Sequence, residues 1–130
     1  YAHHPTEIKA TLSSIKSAYK DRRIIAIFQP HRYSRTELLL NYFKDAFEYA
    51  DNLIITDIYA AGENEIAGIS GETIFDIIKN GNNKTKYIKN IDDIIPELDK
   101  MKKDGDIILT LGAGNISRIS NEYAKKLLDS

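Results

Sequence analysis

Three stretches of the chain are apolar almost throughout: residues 24–28 (Ile-Ile-Ala-Ile-Phe), 53–56 (Leu-Ile-Ile-Thr) and 107–111 (Ile-Ile-Leu-Thr-Leu). A strand with one wet face alternates apolar and polar side chains, whereas a strand covered on both faces does not. The three runs therefore predict strands of a parallel sheet buried between helices, and residues 85–88 (Thr-Lys-Tyr-Ile) form a weaker fourth.

Helical spacing fills the intervals. Pro5 suits a first helical turn, and Ile8, Leu12, Ile15 and Tyr19 follow on one face. Leu38, Leu39, Tyr42, Phe43, Ala46 and Phe47 form a second stripe, with the aromatic residues expected in the core. Ser70 can cap a third helix through Ile74, Phe75 and Ile78 that ends near Gly81. A fourth starts at Asp92 or Asp93 and runs through Ile95, Leu98 and Met101, and a fifth carries Ile116, Ile119, Tyr123 and Leu127. Residues 80–84 read as a solvated turn. The order α-β-α-β-α-β-α-β-α, with right-handed crossovers, predicts a Rossmann-like, doubly wound α/β domain with a mainly parallel sheet. Opening on a helix is unusual for this architecture, so a preceding strand and a longer parent chain are expected. The absence of an initiator Met agrees with that expectation.

The 130 residues fit one domain, 1–130, and 42% apolar content supplies a core. A net charge of -1 gives no overall attraction to nucleic acid or an anionic membrane. No cysteine is present, which removes disulfides and thiolate metal sites. No apolar run approaches the roughly 20 residues of a membrane span.

In open α/β sheets ligands bind beyond the carboxyl ends of the strands. Residues 29–35, 57–63 and 112–115 fall there, and Tyr1, His3 and His4 join them if a strand precedes the first helix. Arg32 and Arg35, three apart at a helix start, can face one side and hold a carboxylate or phosphate between them. The competing reading is a solvated helix start with an ion pair to Glu37. Positive charge opposes the dipole at a helix N-terminus, which weakens a purely structural reason for the pair. His3, His4 and His31 lack metal-ligand spacing, so ligand hydrogen bonding or helix capping is the expected use and no metal site is expected. Asp57 and Glu63 fit an acid/base pair, an amine contact or simple helix caps. Gly112-Ala113-Gly114-Asn115 is an incomplete dinucleotide fingerprint, with Ser117 where the next glycine would fall. It reads as a tight turn whose backbone can still touch a ligand. There is neither a G-x-x-x-x-G-K-S/T loop nor a nucleophile elbow, and no self-sufficient catalytic set can be assembled.

Four segments, residues 1–7 (Tyr-Ala-His-His-Pro-Thr-Glu), 28–35 (Phe-Gln-Pro-His-Arg-Tyr-Ser-Arg), 57–63 (Asp-Ile-Tyr-Ala-Ala-Gly-Glu) and 111–116 (Leu-Gly-Ala-Gly-Asn-Ile), together resemble the C-terminal domain of Mur ligases. The second segment resembles the alanine-adding branch, while the first is shared with the murein tripeptide ligase. The resemblance implies a three-domain cytoplasmic bacterial enzyme of peptidoglycan synthesis that joins L-alanine to UDP-N-acetylmuramate through an acyl phosphate. The N-terminal UDP-sugar domain and the central domain that holds ATP and Mg2+ are absent from this chain, so the isolated domain is expected to be inactive. It further implies that Arg32 and Arg35 clamp the alanine carboxylate with His31 and His3 beside it, that Gly114 adds a backbone contact, and that Tyr1 lies near the nucleotide or substrate. Without the resemblance, a free-standing module binding a small anion or nucleotide stays open; an RNA-binding domain is disfavoured by charge.

Overall fold

The structure is a computed structural model that describes residues 3–81 and 84–128. Its elements are α1 (Pro5–Ala18), β1 (Ile24–Phe28), α2 (Tyr33–Leu39), β2 (Asn52–Ile55), α3 (Gly71–Ile78), β3 (Lys84–Tyr87), α4 (Ile94–Met101), β4 (Ile107–Leu111) and α5 (Ser117–Leu128). Short 3-10 turns extend α2 over Leu40–Phe43 and precede α4 over Ile91–Asp93.

The four strands form one parallel sheet in the order β3-β2-β1-β4. β1 and β2 are buried at every position, and alternate side chains enter opposite cores. Ile24, Ala26 and Phe28 join Ile8, Leu12, Phe43, Phe47 and Ile74 on one face. Ile25 and Ile27 join Ile94, Leu98, Ile116, Ile119 and Tyr123 on the other. Continuous apolarity in these two strands thus reflects helices on both sides. The result is an α/β fold of a parallel sheet with flanking helices.

Two expectations change. The apolar run 107–111 forms β4, but its first four positions are only half-buried, because β4 is an edge strand. The second helix is shorter than its apolar stripe. The switch to a 3-10 turn after Leu39 changes the period from 3.6 to 3.0 residues, so Phe43, Ala46 and Phe47 turn inward. Leu38 and Tyr42 are left 78% and 70% exposed, and Tyr42 is not a core residue. Part of the turn expected at 80–84 lies outside the described residues.

At the amino end of the sheet, the Arg23 guanidinium donates to both oxygens of Asp106 and to the Met101 carbonyl, tying the start of β1 to that of β4. At the carboxyl end the winding reverses: β1 leads outward to β2 and β3, while β4 returns to β1's other side. The crevice where strand order reverses is the usual ligand position in such sheets.

Candidate functional site

The loops after β1 and β2 are stitched together beyond the sheet. His31 and Tyr59 form a parallel bridge, in which the Arg32 N–H donates to the Tyr59 carbonyl (2.8 Å) and the Tyr59 N–H to the Pro30 carbonyl (2.9 Å). The bridge holds Arg32 at φ 67°, ψ 143°, a backbone conformation normally left to glycine. Arg32 then occupies the cap position of α2 without capping it. Glu63 does so instead, accepting from the Ser34 N–H (3.1 Å) and hydroxyl (2.5 Å). These bonds, the hydroxyl first, hold the Glu63 carboxyl below its ordinary range. Asp57 accepts from the Ile58 N–H (2.9 Å) and from the Gly71 N–H (3.0 Å) at the start of α3. Of the roles open to these two carboxylates, the structure assigns both to helix starts.

Arg32 and Arg35 line one cleft of about 620 Å³ together with His3, His4, Glu7, Ser34, Leu38 and Leu39. Neither guanidinium forms a close ion pair among the described residues, and Glu63, already bound to Ser34, is a carboxylate that feels the charge of Arg32. His4 is occupied with α1: its Nδ1 accepts from the Thr6 N–H (3.1 Å), and its own N–H donates to Glu7 (3.3 Å). The cleft therefore combines two guanidinium groups with the His3 imidazole, a set suited to a small anion, beside the carboxylate of Glu7.

His31 sits behind this wall, its ring 5.8 Å from that of His3 and stacked 5.8 Å from Tyr59 at 17°. Burial, then the adjacent His3, Arg32 and Arg35, push its pKa below the usual 6.5, so it is neutral at pH 7. Its Nδ1 is buried without a hydrogen-bond partner. The neighbouring Gln29, 5% exposed, donates from Nε2 to Asn115 (2.7 Å) and leaves Oε1 without a partner. Gly114 packs tightly here: a Cβ on it would stand 2.5 Å from the Tyr59 ring and 2.7 Å from Gln29 Oε1. Thus His3, Arg32 and Arg35 share a cleft, His31 touches it through His3, and Gly114 lies across Tyr59 from it. Tyr1 lies outside the described residues. No group of three or more metal-ligating side chains converges among the described residues.

The family model for the Mur ligase glutamate ligase domain matches residues 1–114. This chain belongs to the Mur ligase family. It is 72% identical to the UDP-N-acetylmuramate–L-alanine ligase of Brachyspira hyodysenteriae over 98% of this chain and 28% of that protein. It is 48% identical to the ligase of the same name from a Sulfurihydrogenibium species, over 98% of this chain and 28% of that one. The crystal structure of UDP-N-acetylmuramate–alanine ligase from Thermotoga maritima superposes with a TM-score of 0.74 at 27% identity, covering 99% of this chain and 26% of that one. The Mur ligase domain described here thus spans about 28% of the length of the curated relatives it matches.

Sequence reasoning passed over two residues of this Mur ligase domain. Tyr59 belongs to a segment singled out for its carboxylates, yet its ring and backbone join the loops. Gln29 is polar at the end of a buried strand, a signal available in the sequence but outweighed there by the neighbouring arginines.

Proposed function

We propose that this chain is the amino-acid-binding domain of an ATP-dependent ligase that joins L-alanine to UDP-N-acetylmuramate in peptidoglycan synthesis. The observation that carries the reading is the pair of guanidinium groups, Arg32 and Arg35, lining one cleft with His3 and forming no close ion pair among the described residues. The four sequence motifs and the names of the relatives support the choice of substrates.

In this reading Arg32 and Arg35 hold the alanine carboxylate by charged hydrogen bonds, each contributing about 1.5–3 kcal/mol. His3 borders the bound zwitterion. Neutral His31 supports it from behind without adding charge that would repel the ammonium group. Held by its acid end, the amino acid keeps its amine free to meet an activated carboxyl group. Gly114 is a candidate backbone contact, and Tyr1 a candidate neighbour of the nucleotide or acceptor.

The residues of this chain do not fit a holding site for Mg2+-ATP. The phosphate loop is missing from the sequence, and no metal-ligating cluster exists among the described residues. ATP and Mg2+ would be held mainly by a separate central domain, and UDP-N-acetylmuramate by an N-terminal one. Alone, the present chain should be inactive. Its substrates would put the reaction in the bacterial cytoplasm. No helix among the described residues is long and apolar enough to cross a membrane.

Steady-state kinetics of the full-length ligase test the clamp. Arg35→Ala should lower kcat/KM for alanine by roughly 10-fold to 200-fold, the loss of one charged hydrogen bond. An unchanged value would remove Arg35 from the site.

A further inference from the structure

We propose that Tyr59 is a positioning residue that seats His31 and Arg32 against the cleft, and that position 114 is glycine to give the Tyr59 ring its place. The inference rests on the carboxylate-clamp reading for its kinetic consequence, but its structural half stands apart from it.

Three contacts converge on Tyr59. Its carbonyl accepts from the Arg32 N–H, its N–H donates to the Pro30 carbonyl, and its ring lies nearly parallel to His31. The backbone pair fixes the chain on both sides of His31 and holds Arg32 at positive φ. The ring, although Tyr59 is 38% exposed, lies between His31 and the turn after β4, where a Cβ at 114 would overlap it. Such an overlap can only be relieved by moving the ring or the turn, since 2.5 Å is far inside van der Waals contact. Tyr59 thus connects the turn before α5 to the wall formed by His31, His3 and Arg32. On this account Gly114 acts by shape, and its backbone need not touch substrate.

A merely structural tyrosine would change stability without retuning His31. NMR titration of the histidine rings in the 130-residue chain separates the two. His31 is faced by His3, Arg32, Arg35 and Glu63, and these remain in every variant. Tyr59→Ala should raise the His31 midpoint toward 6.5, and Tyr59→Phe should restore it. Gly114→Ala should raise it as well, and the double variant should shift less than the two single shifts combined. In the full-length ligase, Tyr59→Ala should raise KM for alanine roughly 10-fold to 100-fold at little cost in kcat, with KM for ATP unchanged and Tyr59→Phe recovering most of the loss. A folded Tyr59→Ala chain, which keeps both backbone bonds, with an unmoved His31 midpoint would overturn the seating role of the ring. A moved midpoint with unchanged KM for alanine would overturn its kinetic half. If Arg35→Ala also leaves that KM unchanged, the clamp itself has failed; if Arg35→Ala raises it, only Tyr59 has.

Discussion

Arg32 is held in a conformation that costs a side-chain-bearing residue about 1–3 kcal/mol. A glycine would relieve that cost and an alanine would not. Arg32→Gly should therefore be about 1 kcal/mol more stable than Arg32→Ala in urea denaturation, while both lose the guanidinium. Equal stabilities would mean the backbone is unstrained there. A tense backbone under a cation that forms no close ion pair is the signature expected where position matters more than stability. The arginine pair was legible in the sequence because its spacing and its location after a buried strand need only local information. Tyr59 was not, because its significance arises from a bridge to His31 on another loop and from the missing side chain at Gly114 on a third. Neither relation has a local signature.

At the scale of elements, the alternation of strands and helices was legible because β1 and β2 carry both cores in their own side chains. The edge position of β4 was not, since it depends on strand order. Close packing between elements also creates demands that sequence hides. Gly71 opens α3 against the end of β2, where a Cβ would lie 2.2 Å from the Thr56 carbonyl oxygen. That neighbour is backbone and part of the sheet's end, so it cannot swing away. Gly71→Ala should cost about 3 kcal/mol, measurable by thermal or chemical unfolding. A loss below about 1 kcal/mol would show that α3 can slide along the sheet.

For the whole molecule, stability and function occupy opposite ends of the sheet. The Arg23–Asp106 clamp closes the amino end, and the Asp106 side chain is only 5% exposed. Burial alone would raise its pKa, but Arg23 and the Lys103 N–H outweigh burial and bring it below 3.8. A carboxylate with a depressed native pKa stabilises the fold above its unfolded value, and that contribution disappears as pH falls through the native one. Arg23→Ala strands this carboxylate and should cost about 2–3 kcal/mol near neutrality, with a smaller deficit below pH 3.8 as Asp106 protonates. A deficit that does not change with pH would assign the loss to packing instead.

The two margins of the sheet are treated differently. β3 carries Lys86, paired with Glu97 of α4, and Lys84, and charge on an edge strand discourages a stranger from docking. β4 reads Ile-Ile-Leu-Thr-Leu, and among the described residues no strand pairs with its outer side. Bare amide and carbonyl groups beside half-buried aliphatic side chains form a template that any extended peptide can copy. When purified alone, the chain should stick to itself as concentration rises, and Thr110→Lys should keep it dispersed in sedimentation runs. An uncovered β4 thus makes the solution behaviour of this polypeptide depend on its concentration.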